Sequence, residues 1–301
     1  MFNIKSYLVV FICSFLFNSV FALVPTDPKH PGSQIYNFQF TEAKFNCAKR
    51  NVVVFLPQPL NLGTSVIVFG HGQSLDVEHY RDTYIHLAKK GIAVIHPSFS
   101  TGFFDTNWTR MGRDYINQAK CITDQIKELN VNSVVFSGHS KGAYVAGVAG
   151  GLAFKESLAL KPSSVLLMNA AGLDPQILKS LDPSVEMTVV YSDKDSIVKK
   201  QISEDLYSLS PSFKKQFILV KSYPKSSGKI FEADHFWPLT KSTWLGGTTA
   251  NPLHYNGSWK WLVSAAEDYD LGSNGTNPYL YTSLASDKGI VGLVDDIARN
   301  F

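Results

Sequence analysis

The sequence is poor in several features that would narrow the class of protein. Its 301 residues contain only three cysteines, and we find no internal repeat and no low-complexity segment, so a disulfide-dense scaffold, a solenoid and a disordered chain are not expected. Lysine and arginine outnumber the acidic residues only by 28 to 25, without a basic run or a set of stacking aromatics. We therefore predict no nucleic-acid partner. No pair of histidines or carboxylates has a metal-ligand spacing, and neither a metal nor another cofactor is predicted.

One long apolar run is present, and it lies at the N-terminus. Lys5 precedes an apolar stretch from Tyr7 to Phe17, and Val20-Phe21-Ala22 has the small-residue pattern of a cleavage site. Because the run is shorter than the roughly 20 apolar residues that a spanning helix needs, residues 1–22 are predicted to be a signal peptide cleaved after Ala22. The mature protein is then expected to be secreted or periplasmic, with no integral membrane span.

The remaining chain, 23–301, is predicted to be one domain, with its core at about 50–268 and a C-terminal extension of loop and short amphipathic helix at 270–301. It keeps two cysteines, Cys47 and Cys121. In an oxidising compartment these two residues either form one disulfide or stay as buried free thiols, and the sequence favours neither, because spacing alone does not bring two sulfurs together. No oligomeric state is predicted.

Short apolar runs alternate with helical patterns along this domain. Buried strands are predicted at 65–69, 92–95, 133–137, 165–168, 187–191 and 216–220, and edge strands at 35–40 and 52–56. Helices are predicted around 78–90, 115–129, 143–150 and 259–269. Strands that alternate with helices form a mostly parallel sheet with helices on both faces, which is an α/β fold. Only residues 169–186 separate two of these strands, so we expect no large cap domain and an open cleft.

The most informative motif is Gly138-His139-Ser140-Lys141-Gly142. It follows a predicted strand and precedes a small-residue helix, which is typical of a nucleophile elbow, where glycines beside the serine avoid collisions with neighbouring elements. Such a turn lifts the hydroxyl of Ser140 above the sheet edge and directs the amide of Lys141 at the same point. Gly70-His71-Gly72-Gln73 ends an earlier strand, and the amide of Gln73 is expected to donate the second hydrogen bond to an oxyanion.

Candidate acid and base residues follow later strands, in the order serine, aspartate, histidine. Asp195 and His235 each lie just beyond the C-terminal end of a predicted strand. His235 is the candidate base, because an imidazole accepts the serine proton and returns it to the leaving group, and Asp195 is the candidate that orients the ring. The alternatives that remain are His254 for the base and Asp193 or Asp174 for the acid. The other histidines near these motifs, His71, His96 and His139, are interpreted as structural hydrogen-bonding residues.

At these residues the chain resembles the α/β-hydrolase superfamily, and specifically its capless esterases: the dienelactone-hydrolase-like, platelet-activating-factor-acetylhydrolase-like and cutinase-like polyester-hydrolase group. The resemblance covers about residues 50–268 and rests on His71-Gly72, the elbow at Ser140, Asp195-Ser196-Ile197-Val198 and Asp234-His235. It implies the α/β-hydrolase fold, a Ser140, Asp195 and His235 triad, an oxyanion hole at the amides of Gln73 and Lys141, and hydrolysis of a small-molecule, lipid or polymer ester without a cofactor.

Two alternative functions share these motifs. The same machinery also cleaves amides and thioesters, so a peptidase or a thioesterase is the alternative activity. A binding protein that kept the fold and lost the activity is the alternative from another class, although such proteins usually lack a triad member. Loop aromatics at the predicted catalytic edge either line a substrate pocket or pack in the core; they are Phe103, Phe104, Trp108, Phe236 and Trp237.

Overall fold

The computed structural model of the protein describes residues 24–27, 29–47, 49–99, 105–172, 175–224, 230–243, 246–267 and 291–292. Its strands are, in chain order, β1 (Gln39–Cys47), β2 (Arg50–Gln58), β3 (Thr64–Gly70), β4 (Ala93–His96), β5 (Leu129–His139), β6 (Ser164–Met168), β7 (Glu186–Ser192), β8 (Lys215–Val220), β9 (Tyr223–Pro224), β10 (Ile230–Phe231) and β11 (Val291–Gly292). Nine of these strands form one sheet in the order β1-β2-β4-β3-β5-β6-β7-β8-β11, and β9 pairs with β10. The pairs from β4 through β8 are parallel, whereas β1, β2 and β11 run antiparallel at the two edges.

The helices connect successive strands. They are α1 (Arg81–Lys89), which continues a 3₁₀ turn at Val77–Tyr80, α2 (Trp108–Gln125), α3 (Lys141–Lys155), α4 (Pro175–Leu178), α5 (Lys200–Leu209) and α6 (Trp259–Ala266), which continues a π turn at His254–Ser258. Within the described part of the chain, no helix combines the length and the apolar character that a membrane crossing requires.

The central strands are buried on both faces, and alternate residues belong to two separate cores. In β3, Val66 and Val68 join the core that contains α2 and α3, whereas Ile67 and Phe69 join the core that contains α1 and α6. This is the period-two alternation that a sheet covered by helices on both faces requires. Between β6 and β7 the described residues contribute only the four-residue helix α4. The predicted α/β fold, a mostly parallel sheet with helices on both faces, is confirmed, and the described residues contain no large cap.

The structure differs from the sequence-based expectation at the edges of the fold. The first strand is not at 35–40 but runs from Gln39 to Cys47, because it pairs along its whole length with β2. Helix α2 begins at Trp108, seven residues before the predicted start, where the Asn107 side chain accepts a hydrogen bond from the Arg110 amide and caps the helix. Trp108 and Met111 already belong to the apolar face of the helix, so the predicted start was too late.

Further expectations concerned the two ends of the chain and the two cysteines of the predicted mature protein. In the C-terminal extension, Val291 and Gly292 form a strand beside β8, where loop and helix were predicted; the rest of that extension and the predicted leader 1–22 lie outside the described residues. Cys47 and Cys121 form a disulfide that joins the end of β1 to α2, with their Cα atoms 6.0 Å apart. Of the two alternatives for these cysteines, the structure therefore has the disulfide.

Candidate active site

Ser140 lies at the tip of the turn between β5 and α3. Its backbone is left-handed, with φ +56° and ψ −125°, a conformation that costs a non-glycine residue of order 1–3 kcal/mol and is concentrated at functional sites. Strand β6 and the loop after it hold the turn, because the Ser140 amide donates to the carbonyl of Met168 and the Ser140 carbonyl accepts from the Ala171 amide, at 2.9 and 3.1 Å. The serine is therefore fixed at the carboxyl edge of the sheet.

Two glycines make this turn sterically possible. A Cβ atom at position 142 would lie 2.2 Å from the carbonyl oxygen of Gly70, and one at position 138 would lie 2.6 Å from the carbonyl of Gly142. Both distances are shorter than real Cβ contacts, and the obstructing atoms are backbone. Glycine is required at both positions because the end of β3 crosses the start of α3 in direct backbone contact.

Ser140, His235 and Asp195 are brought together into one hydrogen-bonded path. His235 Nε2 lies 2.9 Å from Ser140 Oγ, and His235 Nδ1 lies 2.8 Å from Asp195 Oδ2. Because an ionised carboxylate only accepts hydrogen bonds, Nδ1 carries the proton and Nε2 is the acceptor that faces the serine hydroxyl. The ring is therefore in the tautomer that accepts a proton from Ser140.

The carboxylate of Asp195 is held on both oxygens. Oδ1 accepts the backbone amides of Ile197 and Val198, both at 2.9 Å, while Oδ2 faces the imidazole. The side chains of Asp195 and His235 are 0% and 3% exposed, so the pair is shielded from water. Asp193, the rival acid, is exposed and its Oδ1 instead accepts hydrogen bonds from Ser222; Asp174 lies outside the described residues.

His254, the alternative base, has a structural role. Its Nδ1 accepts the amide of Asn251 and its Nε2 donates to the carbonyl of Leu239, at 3.1 Å each. Burial lowers the pKa of His254 from 6.5 to about 4. Since both ring nitrogens are engaged away from Ser140, the structure supports His235 and not His254 as the histidine that faces the serine.

The three histidines interpreted as structural are buried and hydrogen-bonded. His71 donates from Nδ1 to the carbonyl of Gly72 and stacks on Phe99 with ring centroids 4.1 Å apart, while burial lowers the pKa of His71 to about 4. His96 Nδ1 lies 2.8 Å from the hydroxyl of Tyr84, and burial holds the pKa of His96 well below 6.5. His139 contacts Tyr80 and the carbonyl of His235. These rings serve as neutral hydrogen-bonding groups around the site.

The two predicted oxyanion residues lie on different elements, Gln73 in the loop after β3 and Lys141 directly after Ser140. Lys141 is the first residue of α3, where the helix N-terminus presents amides and a partial positive charge. Its side chain points elsewhere: Nζ donates to the carbonyl of Asp105 and lies 5.7 Å from the ring centre of Trp108. Gln73 is half-buried in the loop after β3, and its side-chain Nε2 is buried without a hydrogen-bond partner among the described residues. Their role as oxyanion donors stays a prediction.

The five candidate substrate-binding aromatics have different environments. Trp108 is half-buried and meets Tyr144 edge-on at 4.6 Å between ring centres, and Phe236 is half-buried with its ring perpendicular to that of His235 at 5.0 Å. Trp237 is only 1% exposed and packs against Trp261, so for this residue the structure supports core packing instead of a substrate contact. Phe103 and Phe104 lie outside the described residues.

An open depression of about 580 Å³ borders the loop after β3. Its walls include His71, Leu75, Val77 and Phe99. Ser140, Asp195 and His235 are not among the residues that line it. In the part of the chain that the structure describes, no group of three or more histidine, cysteine or acidic side chains is arranged to hold a metal ion.

Sequence reasoning missed two residues that hold this site. Tyr80 and Asn169 hydrogen-bond to groups on the loops of His139 and His235. The only sequence signal was weak: Asn169 directly follows a predicted strand, and Tyr80 lies at the start of an amphipathic helical pattern. Neither residue type has a fixed spacing to the triad.

Comparison with known proteins identifies partial relatives. No protein-family model matches the chain. A stretch of 143 residues is 29% identical to chlorophyllase-1, chloroplastic, of Citrus unshiu, and the same figures hold for the protein of that name in Citrus sinensis. The matched stretch is 44% of this chain and 43% of each relative, so the chain spans less than half the length of the curated relatives it matches. These matches name none of the three esterase groups expected from the sequence, and that finer assignment stays a prediction.

Proposed function

We propose that this protein is a serine hydrolase that cleaves carboxylic esters through an acyl-enzyme. The observation that carries the proposal is the continuous path from Asp195 Oδ2 to His235 Nδ1 and from His235 Nε2 to Ser140 Oγ, with both distances under 3 Å. The partial similarity to chlorophyllases, which are ester hydrolases, supports ester cleavage among the reactions open to such a triad.

The first half of the proposed reaction transfers the acyl group to Ser140. Oγ attacks the ester carbonyl carbon while His235 Nε2 takes the hydroxyl proton, and the ring becomes an imidazolium beside Asp195. The carbonyl oxygen becomes an oxyanion, which the amides of Gln73 and Lys141 stabilise by hydrogen bonds. When the tetrahedral intermediate collapses, His235 Nε2 gives its proton to the departing alcohol oxygen, and the acyl group remains on Ser140.

The second half releases the acid. A water molecule occupies the position that the alcohol has left, and His235 takes one of its protons as the oxygen attacks the acyl carbon. The second tetrahedral intermediate collapses to the carboxylic acid, and the proton on Nε2 returns to Ser140 Oγ. Asp195 keeps Nδ1 protonated throughout, so Nε2 is the only ring nitrogen that exchanges protons.

We propose an ester with a bulky apolar part as the substrate. Between β6 and β7 the described residues form only a four-residue helix, and the absence of a large cap among them favours access by a large molecule over enclosure of a small one. The matched relatives are named chlorophyllases, and an ester of chlorophyll would belong to the same substrate class.

Purified protein assayed with a short-chain aryl ester, a long-chain aryl ester and an aminoacyl amide tests this function. We expect hydrolysis of both esters, faster hydrolysis of the long-chain one, and a loss in Ser140→Ala of about 10⁶-fold in turnover. Ser208→Ala, on the exposed face of α5, is the matched control and keeps full activity. Preferential cleavage of the amide would favour the peptidase alternative, and no turnover by the folded wild type would favour a binding protein.

We also propose that the mature protein works in an oxidising compartment. The disulfide between Cys47 and Cys121 supports this, since such bonds persist outside reducing compartments, and the leader-like sequence at 1–22 agrees with it. Protein secreted by an expressing cell is expected to begin at residue 23 and to contain no free thiol. Its intact mass, measured before and after thiol alkylation, tests both expectations.

A further inference from the structure

A buried chain of hydrogen bonds joins three loops around the triad. The amide of Gly72 donates to the hydroxyl oxygen of Tyr80 over 3.0 Å, and that hydroxyl lies 2.8 Å from His139 Nδ1. His139 Nε2 lies 2.7 Å from the backbone carbonyl oxygen of His235. Gly72 belongs to the loop after β3, and His139 directly precedes Ser140. One chain of bonds thus reaches the oxyanion loop, the elbow and the loop of the base.

The His235 carbonyl at one end of the chain determines which group donates in each hydrogen bond. A carbonyl oxygen only accepts, so His139 Nε2 carries the proton and donates to His235. His139 Nδ1 must then accept, and the Tyr80 hydroxyl donates to it while accepting from the Gly72 amide. Burial and the neighbouring His235 ring hold the pKa of His139 well below 6.5, which keeps this ring neutral. The chain is therefore fully paired in a single arrangement.

Asn169 holds the same carbonyl from a second side. It follows β6 with a left-handed φ of +47°, and its Nδ2 donates to the carbonyls of His235 and Asp234 at 3.2 and 3.3 Å. Its Oδ1 accepts the hydroxyl of Ser192 at 2.9 Å, which fixes the orientation of the side-chain amide. The carbonyl of His235 thus receives two donors from two different strand ends.

We propose that Tyr80, His139 and Asn169 are positioning residues. They hold the backbone of His235 so that its imidazole keeps its position relative to Ser140 and to the loop after β3. The proposal rests on the proposed ester hydrolysis. These residues act through the carbonyl of His235 and through the loop of Gly72, and not by contact with substrate. Displacing a reacting group by about 1 Å costs of order 100-fold in rate, so a chain that fixes two loops at once affects turnover more than binding.

Two tyrosines of the same helical region provide a matched test. Tyr80 and Tyr84 are both fully buried, and each hydroxyl lies 2.8 Å from a histidine Nδ1, that of His139 and that of His96. We expect Tyr80→Phe to lower kcat roughly 10- to 100-fold with KM within about threefold of wild type, whereas Tyr84→Phe keeps kcat within about threefold. Equal losses in the two variants, or full kcat in a folded Tyr80→Phe, overturn the proposal.

A second pair of variants tests the bond to the carbonyl itself. His139→Gln places its amide near the position of Nε2 and retains a donor to His235, whereas His139→Asn places its amide near Nδ1 and loses that donor. We expect the Asn variant to be roughly 10- to 100-fold slower than the Gln variant in kcat. Equal rates in folded Gln and Asn variants contradict the proposal.

Imidazole ¹⁵N NMR spectra separate failure of this proposal from failure of the proposed function. If the wild type neither hydrolyses esters nor reacts with a fluorophosphonate, the proposed function fails, and the spectra still test the chain. We expect a neutral His139 with its proton on Nε2, and His235 resonances that shift in Tyr80→Phe but not in Tyr84→Phe. A His139 proton on Nδ1, or His235 resonances that do not move in Tyr80→Phe, overturns the positioning role.

Discussion

Asp195 Oδ2 lies 2.8 Å from His235 Nδ1, and neither side chain is more than 3% exposed. The other carboxylate oxygen accepts two backbone amides of the same loop. Asp195 Oδ2 is therefore fixed in position beside the imidazole. Because a carboxylate oxygen accepts hydrogen bonds, it determines that Nδ1 of His235 carries the ring proton. Several predictions of the proposed mechanism depend on this pairing and on the packing around it.

Asp195→Asn is expected to abolish most activity while leaving the fold intact. The amide oxygen of the variant continues to accept the amides of Ile197 and Val198, so its NH₂ group faces His235 and donates to Nδ1. The ring proton then moves to Nε2, which no longer accepts a proton from Ser140. We expect kcat to fall about 10⁴-fold with little change in KM.

Asp193→Asn is the matched control in the same loop, because that carboxylate is exposed and bonds only to Ser222 among the contacts described. Its kcat should stay close to wild type. A loss of less than tenfold in Asp195→Asn, with the control unaffected, would remove Asp195 from the mechanism.

Gly142→Ala is expected to prevent formation of the elbow. The new methyl group would lie 2.2 Å from the carbonyl oxygen of Gly70 and 2.5 Å from that of His71, and relief of this clash requires β3 and α3 to move apart. We expect a loss of several kcal/mol in unfolding free energy, measured by urea titration. In Gly147→Ala, on the same helix, the methyl group meets only side-chain atoms of Leu167 and Leu178, no closer than 3.3 Å. This control should change stability by no more than about 1 kcal/mol, and similar losses in both variants would contradict the steric account.

The lowered pKa values of the buried histidines predict that the free energy of unfolding falls in mild acid. Burial lowers the pKa of His71 and His254 to about 4 and that of His86 to about 3, against 6.5 in an unfolded chain. Because each folded-state pKa is depressed, the unfolded state binds more protons below pH 6.5, and the stability present above that value is lost as the pH falls towards 4. We expect each of these histidines to cost of order 1–2 kcal/mol of unfolding free energy between pH 7.5 and 5.

Urea unfolding measured across that pH range tests this account. The slope of unfolding free energy against pH reports the protons taken up on unfolding, so His254→Gln should lower the slope by about one proton at pH 5. A flat profile in the wild type, or an unchanged slope in the variant, would show that these rings are not held neutral by the fold.

The disulfide is expected to contribute substantially to stability. It closes a loop of 74 residues between β1 and α2, and a cross-link of that kind typically contributes about 2–4 kcal/mol. The double variant Cys47→Ser, Cys121→Ser should therefore unfold at lower urea concentration than oxidised wild type, and reduced wild type should match the variant. Two titratable thiols in unreduced, denatured protein would contradict the pairing.

The elbow was predictable from the sequence because its determinants are local. An apolar strand, two glycines and a small-residue helix lie within about 20 consecutive residues, and each imposes its geometry on its neighbours. The same holds for the strands of the central sheet, whose uninterrupted apolar runs indicate burial on both faces. The order of Ser140, Asp195 and His235 along the chain then limits where the remaining site residues lie in a parallel sheet.

The supporting contacts were not predictable because they join residues distant in sequence. Tyr80 and His139 are 59 positions apart, and His139 and the carbonyl that it contacts are 96 positions apart. A tyrosine on an amphipathic helix indicates only a buried face, and no spacing rule pairs it with a histidine. Likewise, the partner of Cys47 depends on β1 extending to residue 47, which the alternation at 35–40 did not indicate.

The most direct test of the central claim is the site of covalent labelling by a fluorophosphonate, read by peptide mass spectrometry. The account predicts one adduct, on the peptide that contains Ser140, with labelling abolished in Ser140→Ala and strongly slowed in His235→Ala. Labelling of a different residue, or a folded wild-type protein that takes up no label, would contradict Ser140 as the nucleophile.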